Sequence, residues 1–325
     1  PVVAGGGGWV DFVDETSVRM PTPLNDPGIS TNDPDEKDYA VGDVDMDGDL
    51  DLFCVRKEDF TSTGRRANVL FMNEGIAEGH AIDGVLVDRT DDYVAEFNTA
   101  TNDRDVVLVD VDLDGWLDMV TATTLTDNSS KTLSHPRVYM NLGEIGGDWQ
   151  GFQYEEPRIP QMHATAGPRF CSVAAGDLTG DGYPDLYFGD YDSGGGQIFD
   201  YNNKLLINDG SGFFSDETDL RLGAQFNYGG GVGFDDLAFS AFGAASVIAD
   251  MNGDGYLDVI KQTSLAAPTH VAITHNNPSD EGMFTAAGYV QYDQNAPYFV
   301  NAGDLNNDGK LDMVVTDAVS YTHLT

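Results

Sequence analysis

Basic side chains are scarce in this chain: Lys and Arg number 16 against 55 Asp and Glu, a formal charge of −39. Such a surface is repelled by nucleic acid and by anionic membranes, which leaves cations as the natural partners. Cysteine is nearly absent as well. Cys54 and Cys171 sit in apolar runs ("DLFCV", "RFCSVAA") at non-equivalent places, so they are read as buried thiols rather than as a disulfide. No apolar run approaches the roughly 18 residues of a membrane-spanning helix. No amphipathic pattern reaches three helical turns, no signal peptide is visible, and residue 1 is Pro rather than Met, so the true start is expected to be missing. Against these absences stands a hydrophobic content of 41% over 325 residues, enough for a packed core.

What is abundant is aspartate, and it is ordered. The stretch "GDVDMDGDLDLF" (42–53) recurs as "VDVDLDGWLDMV" (109–120), "GDLTGDGYPDLY" (176–187), "ADMNGDGYLDVI" (249–260) and "GDLNNDGKLDMV" (303–314). First aspartates fall at 43, 110, 177, 250 and 304, with spacings of 67, 67, 73 and 54. A short apolar segment precedes each loop and another follows it, which predicts a hairpin. Next comes a strand with Asn-rich ends: "NVLFMNEG" (68–75), "RVYMNLGE" (137–144), "KLLINDGSG" (204–212) and "HVAITHNN" (270–277). An aromatic-led strand closes the unit; "FVDETSVRM" (12–20) matches "FSDETDLRL" (214–222), with "VLVDRT" (85–90) and "FQYEEP" (152–157) as relatives. Four short strands per repeat, none able to bury both faces alone, predict an all-β fold, a β-propeller of four-stranded blades. A β-solenoid is the competitor, but its repeats are shorter, on the order of 20–30 residues.

Within the nine-residue loop, position 1 is Asp43, Asp110, Asp177, Asp250 and Asp304. Position 3 is Asp45, Asp112, Thr179, Asn252 and Asn306, and position 5 is Asp47, Asp114, Asp181, Asp254 and Asp308. Position 9 is Asp51, Asp118, Asp185, Asp258 and Asp312. Every one carries a side-chain oxygen. Position 6 is always Gly, which permits a φ > 0 bend. Position 7 reads Asp49, Trp116, Tyr183, Tyr256 and Lys310, so only its backbone carbonyl can serve. Oxygen ligands at 1, 3, 5, 7 and 9 are the opening of a calcium loop, giving about five Ca²⁺, one per loop. Zinc would call for His or Cys, and none lies in these loops. An EF-hand needs an acid at position 12, where this chain has Cys54, Thr121, Phe188, Lys261 and Val315. An acidic turn held by Asx hydrogen bonds is the remaining competitor, but it needs neither a fixed Gly at 6 nor a fixed Asp at 9. The loops at 43–51 and 110–118, with four carboxylates each, are expected to bind most strongly, and Thr179 should weaken 177–185.

These residues resemble the FG-GAP or VCBS repeats, the calcium-loop propeller blades of integrin α-subunit heads and of many secreted bacterial proteins. The resemblance covers almost the whole chain. It implies a propeller, typically of about seven blades, with one Ca²⁺ in the hairpin turn of each metal-binding blade. Val109 and Ala249 depart from the usual Gly before position 1. About five blades are present, the fifth cut off after its second strand, so the ring is expected to be incomplete. The ending "VSYTHLT" (319–325) resembles a translated sequencing-library adapter, with a natural strand as the alternative, so the propeller segment is expected at 1–318 and the chain is expected to be a fragment.

The first reading is a non-catalytic, extracellular or cell-surface module for adhesion or ligand binding, its partner an unidentified protein or glycan, with calcium affinity of about 10⁻⁴–10⁻³ M, as for extracellular modules. The alternative is a carbohydrate-active enzyme, a polysaccharide lyase or hydrolase with structural calcium. Its site would lie in the inserts at 57–67, 123–136, 190–203 and 222–243, which hold Arg65, Arg66, His135 and Tyr201, with Arg137 one residue past the second, without a spacing that names a chemistry. His163, His270 and His275 form no metal spacing and have no evident partner. "YGGGVGFDD" (228–236) lacks a strand-to-helix context for a nucleotide, "GGGG" (5–8) and "SGGG" (193–196) read as turns, and Asn128-Ser129-Ser130 is a glycosylation sequon.

Overall fold

The computed structural model describes residues 12–20, 36–57, 65–124, 130–162, 169–190, 203–222, 245–263, 270–293 and 297–317. Each repeat forms one antiparallel sheet. The first has β1 (Glu36–Gly42), β2 (Asp51–Arg56), β3 (Val69–Glu74) and β4 (Val85–Asp88) in that order. The second has β5 (Asp103–Val109), β6 (Asp118–Thr123), β7 (Arg137–Asn141) and β10 (Phe152–Tyr154), with a small hairpin, β8 (Glu144–Ile145) and β9 (Asp148–Trp149), between the last two. The third has β11 (Phe170–Gly176), β12 (Asp185–Asp190), β13 (Lys204–Asn208) and β14 (Phe214–Asp216). The fourth has β15 (Ser246–Ala249), β16 (Asp258–Thr263), β17 (His270–Asn276) and β18 (Phe284–Asp293). The fifth repeat contributes only β19 (Pro297–Gly303) and β20 (Asp312–Asp317). Among the described residues the sheets do not close into a ring.

The cores lie between successive sheets. Period-2 alternation sends Met119 of β6 toward the first sheet, with Phe53, Leu70 and Met72, while its neighbour Val120 joins Val173, Leu186 and Leu206 of the third. All six residues of β6 are therefore buried. Phe53 meets Phe97 and Phe152 edge-on, with ring centroids 6.2 and 5.3 Å apart. Leu205 and Ile207 continue the pattern toward Val259 and Phe284, and Ile260 and Ile273 toward Val300.

Polar clasps join the same sheets. The asparagine ending the third strand of the second, third and fourth sheets reaches back to the loop of the preceding repeat: Asn141 Nδ2 donates to Val44 O (2.8 Å), Asn208 Nδ2 to Val111 O (2.7 Å) and Asn276 Nδ2 to Leu178 O (2.8 Å). Each also donates to a carbonyl in its own loop, Leu117, Pro184 and Leu257 respectively. Arginines make a second clasp: Arg158 donates to Ser211 O at 2.6 Å and Arg221 to Gly282 O at 3.2 Å.

The closing segments differ from expectation. Residues 12–15 form no strand, and Thr16–Arg19 is one helical turn; in the matching segment only Phe214–Asp216 is strand, and Thr218–Leu222 is helical. The cause is the shared Asp-x-Thr. Asp14 Oδ1 accepts from Thr16 N (3.0 Å) and Asp216 Oδ1 from Thr218 N (3.1 Å), an Asx turn that starts the helical turn in both segments and ends the strand in the second. The turn positions Arg19, whose Nη1 donates to Asp83 O and Gly84 O, as Arg221 does in the third repeat. Cys54 and Cys171 are buried and not joined in a disulfide. The adapter-like tail, the two glycine runs, the 228–236 cluster, Asn128, Ser129, His163 and Tyr201 lie outside the described residues.

Candidate metal centre

All five loops have the same hydrogen-bonded frame. Position 1 Oδ2 accepts from the position 6 glycine N: Asp43 from Gly48 (3.1 Å), Asp110 from Gly115 (2.9 Å), and Asp177, Asp250 and Asp304 from Gly182, Gly255 and Gly309 (2.8 Å each). Those glycines have φ of 100, 98, 93, 91 and 83°, the left-handed bend that the motif requires. The position 5 carboxylates, Asp47, Asp114, Asp181, Asp254 and Asp308, each accept from the position 7 N of Asp49, Trp116, Tyr183, Tyr256 and Lys310, all at 2.9 Å. At position 3, Asp45, Asp112 and Asn252 accept from the position 5 N. Asn306 is exposed in the fifth loop.

Position 9 is a clamp. One oxygen of Asp51, Asp118, Asp185, Asp258 and Asp312 accepts from the position 2 N at 2.9–3.1 Å. The other oxygen of the first four accepts from the N of Asn73, Asn141, Asn208 and Asn276, tying loop to third strand. Burial pushes the carboxyls of Asp51 and Asp118 up to about 7 and that of Asp185 up to about 6. Burial and then the neighbouring Asp47 raise Asp45 to about 6, and burial with Asp114 raises Asp112.

These bonds alone would serve an acidic turn, so the test of fit is what they leave over. Carboxylate oxygens of Asp43, Asp45 and Asp51 lie within 4.8 Å of one another, as do those of Asp110, Asp112 and Asp114. Mutual repulsion at that distance has no partner charge in the loop. Asp43 Oδ1 and Thr179 Oγ1 are buried without a hydrogen-bond partner. An oxygen-only donor set with inward lone pairs left over fits a hard divalent cation.

Position 4 carries a second left-handed bend that the motif does not fix by residue type. Met46, Leu113, Gly180, Gly253 and Asn307 all take left-handed φ, 57–75°. The signal was present in Gly180, Gly253 and Asn307, residues that tolerate this region. Position 7 aromatics also have a structural use, since Trp116 and Tyr183 lie against Gly143 and Gly210 of the following turns.

Two expectations are corrected. His275 has a partner: its Nδ1 lies 2.9 Å from Asp258 Oδ2, at position 9 of the fourth loop, and His270 Nε2 lies 3.0 Å from the Tyr289 hydroxyl. His135 and Arg137, expected beside a site on the inserts, are 1% and 2% exposed. Arg137 Nη1 donates to Tyr139 OH at 2.8 Å and its guanidinium covers the Tyr154 ring, so it packs the core. Arg65 and Arg66 sit in isolated bridges to Lys57 and Thr101.

Residues 250–315 match the model of the FG-GAP-like repeat family, from the fourth loop into β20. No curated protein matches the chain in sequence. Among solved structures it is similar to the V. cholerae biofilm matrix protein Bap1, at 14% identity and TM-score 0.40 over 92% of this chain and 37% of that one. It is also similar to an exo-beta-1,3-galactanase from Clostridium thermocellum, at 11% identity and TM-score 0.40 over 81% of this chain. The chain spans 37% and 51% of the lengths of these two proteins.

Proposed function

From the premise of an FG-GAP-like repeat at 250–315, in a chain that carries its loop five times, we propose a calcium-stabilised β-propeller module that binds a protein or glycan outside the cell. Side-chain oxygens at positions 1, 3, 5 and 9, with the position 7 carbonyl, would hold one Ca²⁺ per loop. The observation that carries this reading is the trio of carboxylates in each of the first two loops, packed within 4.8 Å and leaving Asp43 Oδ1 buried without a donor. Bound calcium would neutralise the repulsion and fix each turn between its two strands, so binding and folding are linked. The role is structural, and no chemical step is assigned to the metal.

The same repetition favours a propeller. Sheets packed in sequence order, with the first strands of all five repeats lining one cavity, suit successive blades about an axis. Among the described residues no helix is long and apolar enough to cross a membrane. An extracellular setting is favoured because weak calcium loops fill only where calcium is plentiful. Melting in calcium and in excess EGTA tests the reading: chelation should lower the melting temperature by several degrees. An unchanged melting temperature would remove structural calcium from the account.

A further inference from the structure

The third loop is one carboxylate short. Position 3, Asp45 and Asp112 in the first two loops, is Thr179, whose Oγ1 is buried without a hydrogen-bond partner. The turn that covers this loop belongs to the next repeat. Asn276 Nδ2 donates to Leu178 O at 2.8 Å, Arg221 Nη1 donates to Gly282 O at 3.2 Å, and a Cβ on Gly282 would lie 3.0 Å from Thr179 Cγ2. The residue before that glycine is Glu281. Its carboxylate lies against Gly180, position 4 of the loop, where an added Cβ would overlap Cδ and both carboxylate oxygens.

No donor in the loop accounts for this placement. The N–H groups of Gly180 and Asp181 donate to Asp177 Oδ1 (2.7 and 3.2 Å), that of Gly182 to Asp177 Oδ2 (2.8 Å) and that of Tyr183 to Asp181 Oδ1 (2.9 Å). Arg221 pairs with Glu217 at 2.8 Å. Glu281 itself is partly buried and makes no hydrogen bond or ion pair among the described residues. A fourth carboxylate brought to a loop that already holds Asp177, Asp181 and Asp185 is repelled unless a cation is shared. The second loop gives the contrast. Gly212 and Gly282 are equivalent, each donating its N–H to the third-strand asparagine, Asn208 Oδ1 at 3.1 Å and Asn276 Oδ1 at 2.8 Å. The residue before Gly212 is Ser211, and the loop beneath it has its own Asp112, with Leu113 at position 4. Of these two loops, the one without an acid at position 3 has both the overhanging glutamate and the glycine that makes room for it.

We propose that Glu281 of the fourth repeat supplies the third calcium loop with the acidic group that Thr179 lacks, so that one Ca²⁺ is held by two successive repeats. The loop then has four acidic groups, Asp177, Asp181, Asp185 and Glu281, as the first two loops have within their own motif. Calcium affinity follows the charge count of the ligands, so the third loop should match the first two rather than fall below them. Glu281 would also fasten the 277–283 turn to the third sheet, beside the Asn276 and Arg221 clasps. The inference rests on the calcium reading of the loops and adds to that site a residue from outside the nine-residue motif.

Calcium binding by the full chain is measured by equilibrium dialysis and calorimetry, with Glu281→Gln, Asp280→Asn and the double variant Glu281→Gln/Thr179→Asp beside the parent. Gln keeps the shape of Glu281 and sacrifices no bond, and each variant is first melted in saturating calcium to show that it folds. Glu281→Gln should weaken one equivalent of calcium about tenfold and leave the others as in the parent. Asp280→Asn removes the same charge from an exposed neighbour in the same turn and should change nothing. Thr179→Asp should restore the weakened equivalent. Parent-like binding in Glu281→Gln, an equal loss in Asp280→Asn, or a double variant no tighter than Glu281→Gln would overturn the proposal. Calcium bound by the parent and unaffected by Glu281→Gln refutes this residue alone; a parent that binds no calcium refutes the loops themselves.

Discussion

Replacing Asn141 with Ala tests how the repeats are joined. Its Nδ2 donates to Val44 O at 2.8 Å in the first loop and to Leu117 O at 3.1 Å in its own. Its Oδ1 accepts from Gly143 N at 3.0 Å and from Trp149 Nε1 at 2.8 Å. The side chain is 4% exposed and Val44 is fully buried, so water cannot replace all four partners. Four bonds at about 0.5–1.5 kcal/mol net each, with the added cost of stranded groups, give about 3–5 kcal/mol of destabilisation. Asn73 is the internal control. It occupies the equivalent place but donates only to Leu50 O (3.1 Å), in an exposed contact, and its Oδ1 is buried without a partner. Asn73→Ala should cost about 1 kcal/mol or less. Urea unfolding followed by tryptophan fluorescence, with Trp149 beside the Asn141 site, reads both. Equal losses for the two variants, or a loss under about 1 kcal/mol for Asn141→Ala, would refute the inter-repeat clasp.

Gly48→Ala should destabilise by about 1–2 kcal/mol through backbone strain, because φ is 100° and no atom lies within 4 Å of an added Cβ; a thermal melt showing no change would contradict the bend. The pH dependence follows from carboxyls held above the ordinary value of 3.8, to about 7 for Asp51 and Asp118. The folded state binds their protons more tightly than the unfolded chain. Their contribution is therefore full below pH 3.8 and is lost as pH rises toward 7, on the order of 2–4 kcal/mol per buried carboxyl after screening. In EGTA the protein should thus be less stable at pH 7 than at pH 5, with the order reversed in saturating calcium; denaturation midpoints at the two pH values check both signs.

The loops and the strands that flank them were legible because they obey hard local rules. Gly48 and its four counterparts are fixed by φ, and the side-chain oxygens by the frame they must share. The third strands were legible from their asparagines, yet the role of Asn141 and Asn208 was not, since their partners Val44 and Val111 lie 97 residues away. "FVDETSVRM" misled because Phe, Val and Thr favour strands, while the Asp14–Thr16 bond decides locally for a helical turn. The ten-residue β18 (Phe284–Asp293) is not legible in the sequence because "FTAAGYVQYD" is long and weakly apolar, its length set by pairing with β17. The register shifts in β1, β5, β11 and β19 leave no residue signature at all. Only the register of neighbouring strands reveals them.

The central claim is that the aspartates are ligands rather than turn formers. Equilibrium dialysis against calcium, with bound metal counted by mass spectrometry, tests it directly on the parent chain and on two variants of the first loop. About five Ca²⁺ per chain are expected, one per loop. Asp47→Lys should lose one, whereas Asp49→Lys, whose position holds Lys310 in the fifth loop, should lose none. A chain that retains no calcium, or the same loss from both variants, would contradict the account.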